Sequence, residues 1–229
     1  MMGAAGEKNR PDLDEYGILN LFGEITGDSA GSLCRQIIQI NVEGKLNKIQ
    51  LLINSGGGDC HAGFALLDIM DWSRIPIATT GIGVVGSMAL LAFMAGQRGS
   101  RVLTPRTSLL SHRYFAVHGG NHSQILAFRK QEDTVHETIV NHYLRHTRLK
   151  TREEVEEMLL RDVDTWLCPR EAVELGIADI IESMEGIAGR PGKGRRHEGK
   201  GRRPQGGNRR EREPIPICGQ PGLPSVVKG

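Results

Sequence analysis

Alternation of short apolar runs with amphipathic stretches predicts an α/β fold with a mostly parallel sheet covered on both faces. Three observations carry this. Residues 49–53 (IQLLI) are a compact apolar run ending in the glycine-rich turn 54–58 (NSGGG), the pattern of a strand buried on both sides. Residues 76–80 (PIATT) begin the same pattern again, with a glycine-punctuated loop over 81–86 and an apolar helix from Ser87 to Ala95. A long helical stretch, residues 123–146, follows the break at Gly119-Gly120.

The remaining elements fall into place around these. Residues 1–16 are polar and punctuated by glycine and proline, and read as a short N-terminal arm. Residues 17–22 (GILNLF) predict a strand. Asp28 or Ser29 can cap the next helix, whose apolar face is drawn from Leu33, Ile37, Ile38 and Ile40. An amphipathic helix spans residues 61–72. Residues 102–103 and 107–111 give two short strands, and residues 152–160 and 169–175 give two helices, the second closed by Gly176. Residues 177–181 (IADII) complete the body as a strand.

With 229 residues the chain can bury one good core. Its net charge of +2 hides an asymmetry. Of 29 basic and 27 acidic residues, the tail 189–229 takes eleven and three, so the tail stands at about +8 and the rest at about −6. That tail also holds six of the ten prolines, and its composition predicts disorder. The body is then residues 17–188. Cys34, Cys60, Cys168 and Cys218 form no CxxC pair, which argues against a zinc knuckle or a disulfide scaffold and fits a reducing compartment. No signal segment is visible, and the longest apolar stretch, residues 88–95, is far too short to span a bilayer. A cytoplasmic protein with no membrane partner is expected.

Three places join a strand end, a glycine-rich turn and a helix start. The turn NSGGGDCHAG, residues 54–63, can point backbone N–H groups outward as an oxyanion cradle, or it can be a plain tight turn. Ser87, at the first turn of an apolar helix, is placed where a helix dipole favours negative charge, or it is simply an N-cap. The G-x-S-x-G and S-x-x-K signatures are both absent, because Val85 and Leu90 stand at the deciding positions. His112 ends the strand-like TSLLSH, and Asp162 and Asp164 precede Trp166. His142 and His146 are four apart on a helix, and His118 and His122 flank the glycine break. Neither pair has a third ligand in view, so neither predicts a metal site.

The ordered series NSGGG…AG, GSMALLAFMAG, LLSHR and the run from Asp164 to GIAD resembles the Clp protease proteolytic subunit (ClpP) family over about residues 17–182. Met88 follows Ser87, and His112 lies 25 residues on, as in that family. Counting back from Arg170-Glu171-Ala172 puts the family's aspartate on Asp164 rather than Asp162. The resemblance implies a ClpP/crotonase-like fold of repeated ββα units with a protruding handle helix. It implies a serine endopeptidase in which Ser87 is nucleophile, His112 general base and Asp164 the residue that orients it, with the N–H groups of Gly58 and Met88 as oxyanion hole. It also implies homo-oligomeric stacked rings, heptameric in the family, a Clp-type ATPase partner, unfolded polypeptide as substrate and no cofactor.

Departures from that pattern leave alternatives open. Gly56 replaces the usual proline, Asp59 adds a carboxylate beside the oxyanion position, and the arm before the first strand is short. Asp59 is the best support for a catalytically weak or inactive scaffold subunit in a mixed ring, and it is the only carboxylate a crotonase-type acyl-CoA enzyme could use near the turn. The basic tail suits weak nucleic-acid contact or docking.

Overall fold

A computed structural model describes residues 13–182. Most of the expected N-terminal arm and the whole of the expected tail lie outside the described residues. After a 3-10 turn, Leu13–Tyr16, come β1 (Ile18–Phe22), α1 (Gly27–Glu43), β2 (Ile49–Ser55), α2 (Cys60–Trp72), β3 (Ile77–Gly86) and α3 (Met88–Met94). Then follow β4 (Arg101–Leu103), β5 (Ser108–Ser111), α4 (His122–His146), α5 (Arg152–Met158), β6 (Thr165–Leu167), α6 (Pro169–Glu174) and β7 (Ile180–Ile181). The strands form one sheet in the order β1-β2-β3-β4-β7, with β5 also against β3 and β6 beside β5. Every pairing is parallel except β5 with β6. The predicted α/β class, with its mostly parallel sheet, is the class observed.

Leu19, Leu21, Leu51 and Ile53 from the strands meet Leu66, Leu90 and Phe93 from α2 and α3, all at most 1% exposed. Burial of each such side chain stabilises by about 1.5–3 kcal/mol. The faces are unequal, however. In β2, Ile49, Leu51 and Ile53 are buried while Gln50 and Leu52 are only half-buried, so the strand is not sealed on both sides.

Residues 81–86, expected as a loop, belong to β3 instead. The β2–β3 register shifts between Ile53 and Ser55, and the Asn54 side chain accepts from the Val84 N–H at 3.1 Å across that irregularity. The shift lets β3 change partners. Thr79–Gly81 pair with β4, whereas Val84–Gly86 pair with β5. Glycines that look like turn signals are therefore the residues that let one strand serve two neighbours.

Other boundaries moved for local reasons. Thr26, not Asp28 or Ser29, caps α1: its hydroxyl accepts from Ser29 N at 3.2 Å while Ser29 Oγ accepts from Thr26 N at 2.9 Å. Ile38 is 37% exposed and lies off the buried face. Strand β6 was not expected at all. The final strand, β7, is shorter than expected, and Asp179 just before it anchors the approach. Its carboxylate receives Arg101 Nε at 2.9 Å and Nη2 at 2.6 Å, and the N–H groups of Gly99 and Arg101. Arg101 also donates to the His146 carbonyl at 2.9 Å, so this buried clamp ties β4 to the end of α4 and the approach to β7. Burial alone raises the Asp179 carboxyl, but the Arg101 bonds outweigh it and hold the group below its ordinary value.

Only the second half of α4 packs on the body. Its buried residues begin at Val135, whereas Ile125 and Leu126 are 43% and 59% exposed. This is the protruding handle helix.

Candidate active site

The carboxyl ends of β2, β3 and β5 and the start of β6 converge, at the end of the sheet where parallel α/β folds place their chemistry. Ser87 follows β3 directly. Among the described residues it is the only non-glycine with positive φ, at φ 52° and ψ −127°. It occupies the cap position of α3 yet makes no side-chain cap bond. A backbone so strained costs on the order of 1–3 kcal/mol and is held only by its surroundings. Those surroundings are plain: Ser87 N donates to the Leu110 carbonyl of β5 at 2.9 Å, and Gly57 lies against it on the other side. A β-carbon on Gly57 would stand 2.6 Å from Ser87 Cβ and 3.1 Å from Met88 N.

Gly58 is held against the chain beyond β1. Ile25 N donates to the Gly57 carbonyl and Asp59 N to the Ile25 carbonyl, both at 2.8 Å. In a parallel ladder this leaves the N–H of Gly58 directed away from Ile25, toward the Ser87 side. Met88 N, in the first turn of α3, has no acceptor within its helix. These are the two expected oxyanion donors.

His112 follows β5, whose last residue is fixed from two sides. Ser111 Oγ donates to the Leu159 carbonyl at 2.7 Å and lies 2.6 Å from Tyr143 Oη, which must then be the donor to Ser111. Burial drives the Tyr143 hydroxyl up to about 12, so it keeps its proton. The half-buried His112 ring puts Nδ1 2.5 Å from the Arg113 carbonyl. A carbonyl only accepts, so Nδ1 donates in this contact and Nε2 is the ring nitrogen left free of it.

The β5–β6 register pairs Ser111 with Thr165, and one further antiparallel step sets His112 opposite Asp164. Asp162 is turned outward, paired with Arg113 at 3.0 Å. No hydrogen bond joins His112 to Asp164 among the described residues. The Arg113 carbonyl takes the place expected of Asp164, with the Arg113 side chain drawn to the Leu160 carbonyl at 2.6 Å and to Asp162.

Asp59, suspected of crowding the oxyanion, is the N-cap of α2, its Oδ1 accepting from Ala62 N at 2.7 Å. Burial, with help from Asp59, raises the Cys60 thiol, which therefore stays protonated and is no rival nucleophile. His142 and His146 stack at 4.3 Å, His142 on the Leu91 carbonyl, and His118 stacks on Phe128. Sequence reasoning missed Tyr143, which no motif marks, and took Asn54 only as the start of the glycine turn, not as the acceptor for Val84 N–H.

The model of the Clp protease family matches residues 6–185. The chain belongs to the Clp protease family. It is similar to the ATP-dependent Clp protease proteolytic subunit of Deinococcus radiodurans, 30% identical over 159 residues that cover 69% of this chain and 76% of the relative. It is likewise similar to ATP-dependent Clp protease proteolytic subunit 2 of Rhodococcus jostii, 30% identical over 177 residues covering 77% and 89%, and of Corynebacterium diphtheriae, 31% over 170 residues covering 74% and 84%. As a member of this family it is an enzyme of the serine-type endopeptidase class. No described helix is long and apolar enough to cross a membrane.

Proposed function

We propose that the chain is the proteolytic subunit of a self-compartmentalising protease, with Ser87 as nucleophile, His112 as general base and Asp164 as the orienting carboxylate. The observation that carries this reading is the Ser87 backbone, which is strained at a strand-to-helix junction and gains no capping bond in return. His112 Nε2 takes the proton of Ser87 Oγ as it attacks a peptide carbonyl, then returns it to the leaving amine. Gly58 and Met88 N–H groups bind the oxyanion, and water releases the acyl group by the same steps in reverse. Asp164 accepts a hydrogen bond from Nδ1–H once His112 turns from the Arg113 carbonyl, and the proton stays on the imidazole.

Rings that enclose the site, unfolded polypeptide as substrate and an ATP-dependent unfoldase are part of the same proposal, supported by the relatives' description as ATP-dependent proteolytic subunits. So are a cytoplasmic location and the division into an arm (1–16), a peptidase body (17–188) and a basic tail (189–229) open to weak nucleic-acid contact. A second reading, a weakly active or inactive scaffold subunit, draws on the unmade His112–Asp164 bond. The crotonase alternative loses support because it leaves the strained, uncapped Ser87 backbone without a role.

The test is hydrolysis of short fluorogenic peptides and an unfolded protein by the full chain, with particle mass measured in the same preparation. Turnover by a ring-sized particle, lost in Ser87→Ala, is expected. A ring-sized particle without turnover would favour the scaffold reading.

A further inference from the structure

Asp59 stands one residue past Gly58, so the two Cα atoms are about 3.8 Å apart. Its side chain is already ordered by the bond from Ala62 N at 2.7 Å, which holds the carboxylate over the first turn of α2. That turn touches the turn carrying the nucleophile: a β-carbon on Gly63 would lie 2.3 Å from Met88 Cε. The carboxylate is exposed, and among the described residues no Lys, Arg or His lies within ion-pair distance of it. Arg113, on the strap after β5, is already paired with Asp162. The cap bond uses one of about four acceptor positions on the carboxylate, and the helix dipole offsets only about half a charge. An unpaired, pre-ordered anion therefore stands one residue along the chain from Gly58, whose N–H is the proposed oxyanion donor.

We propose that Asp59 is a specificity-determining residue that makes the site favour peptides with lysine or arginine beside the scissile bond. The inference rests on the reading of Ser87 as nucleophile. The substrate cation supplies the counter-charge that the chain lacks and shields the developing oxyanion from Asp59, so the preference falls on kcat/KM. An acidic side chain at the same place meets Asp59 directly and is disfavoured.

The experiment compares two fluorogenic peptides that differ only in lysine or glutamate next to the cleaved bond, with the full-length wild type and Asp59→Asn. Asparagine is as good an N-cap as aspartate, so the variant removes the charge while keeping α2. A lysine-to-glutamate ratio of about tenfold is expected in wild type, nearer the bulk-water than the protein-surface strength of a unit-charge contact. It should fall to about twofold or less in Asp59→Asn, and shrink in wild type at high salt. A wild-type ratio near one, or the same ratio in both proteins, overturns the proposal. Fluorophosphonate labelling of the same wild-type sample separates the two claims. Label with a ratio near one defeats only the role of Asp59, and no label defeats the serine-hydrolase reading beneath it.

Discussion

Gly57 and Ser87 are in van der Waals contact across the end of the sheet, so close that a β-carbon on Gly57 would lie 2.6 Å from Ser87 Cβ. The strained serine and the glycine turn are one unit: the turn leaves the room that the serine's backbone requires. At φ 105°, Gly57 itself is in a region that side chains avoid. Gly57→Ala should therefore displace Ser87, lowering kcat/KM by about a hundredfold or more. It should also lower unfolding free energy by about 2–4 kcal/mol in denaturant titration. Full activity in the alanine variant would mean that the contact does not position the serine.

Tyr143 reaches from α4 to Ser111, the residue before His112. Tyr143→Phe removes one buried donor while Ser111 keeps its bond to the Leu159 carbonyl. A loss of about 1–1.5 kcal/mol is expected by chemical denaturation. If the bond also steadies His112, kcat falls while KM stays, which steady-state kinetics on a short peptide would show.

Asp164 and His112 adjoin the last β5–β6 pair, Ser111 with Thr165, and no hydrogen bond joins them in this structure. On the proposed triad, Asp164→Asn should lower kcat by about a hundredfold to ten-thousandfold, because the imidazolium formed during turnover loses the carboxylate that would stabilise it. Asp162→Asn, which touches only the exposed Arg113 pair, should stay within about twofold. Equal losses in both variants would mean that the register argument picks the wrong carboxylate.

His142 and His146 are held neutral, each pushed down to about 4, His142 by burial and its neighbour His146, His146 by burial and the nearby Arg145 and Arg101. In the unfolded chain they take protons near pH 6.5. Between those values the unfolded state binds more protons, so stability is full above about pH 6.5 and is lost as pH falls toward 4. Thermal unfolding from pH 7 to 4 should show this slope, and it should flatten in His142→Gln. A slope unchanged by that substitution would assign it to other groups.

Much of this was legible in the sequence. The strands after Gly17, at Ile49 and at Ile77, and the helices between them, follow from apolar period alone, and the ordered Ser87, His112 and Asp164 motifs identified the family. What stayed hidden depends on contacts between distant segments. Gly81 to Gly86 carries every local sign of a loop, but Asn54 and β5 make it a strand. Thr165–Leu167 is too short to announce itself and exists because β5 pairs with it. Asp59 looked like a hazard beside the oxyanion, yet at Ncap its charge has a structural use that only the Ala62 bond reveals.

Ser87 as nucleophile is tested most directly by treating the assembled full-length protein with a fluorophosphonate and locating the adduct by peptide mass. One adduct per chain on the peptide containing Ser87, and none in Ser87→Ala, is the predicted result. An unlabelled wild-type protein, or an adduct that persists in Ser87→Ala, would contradict it.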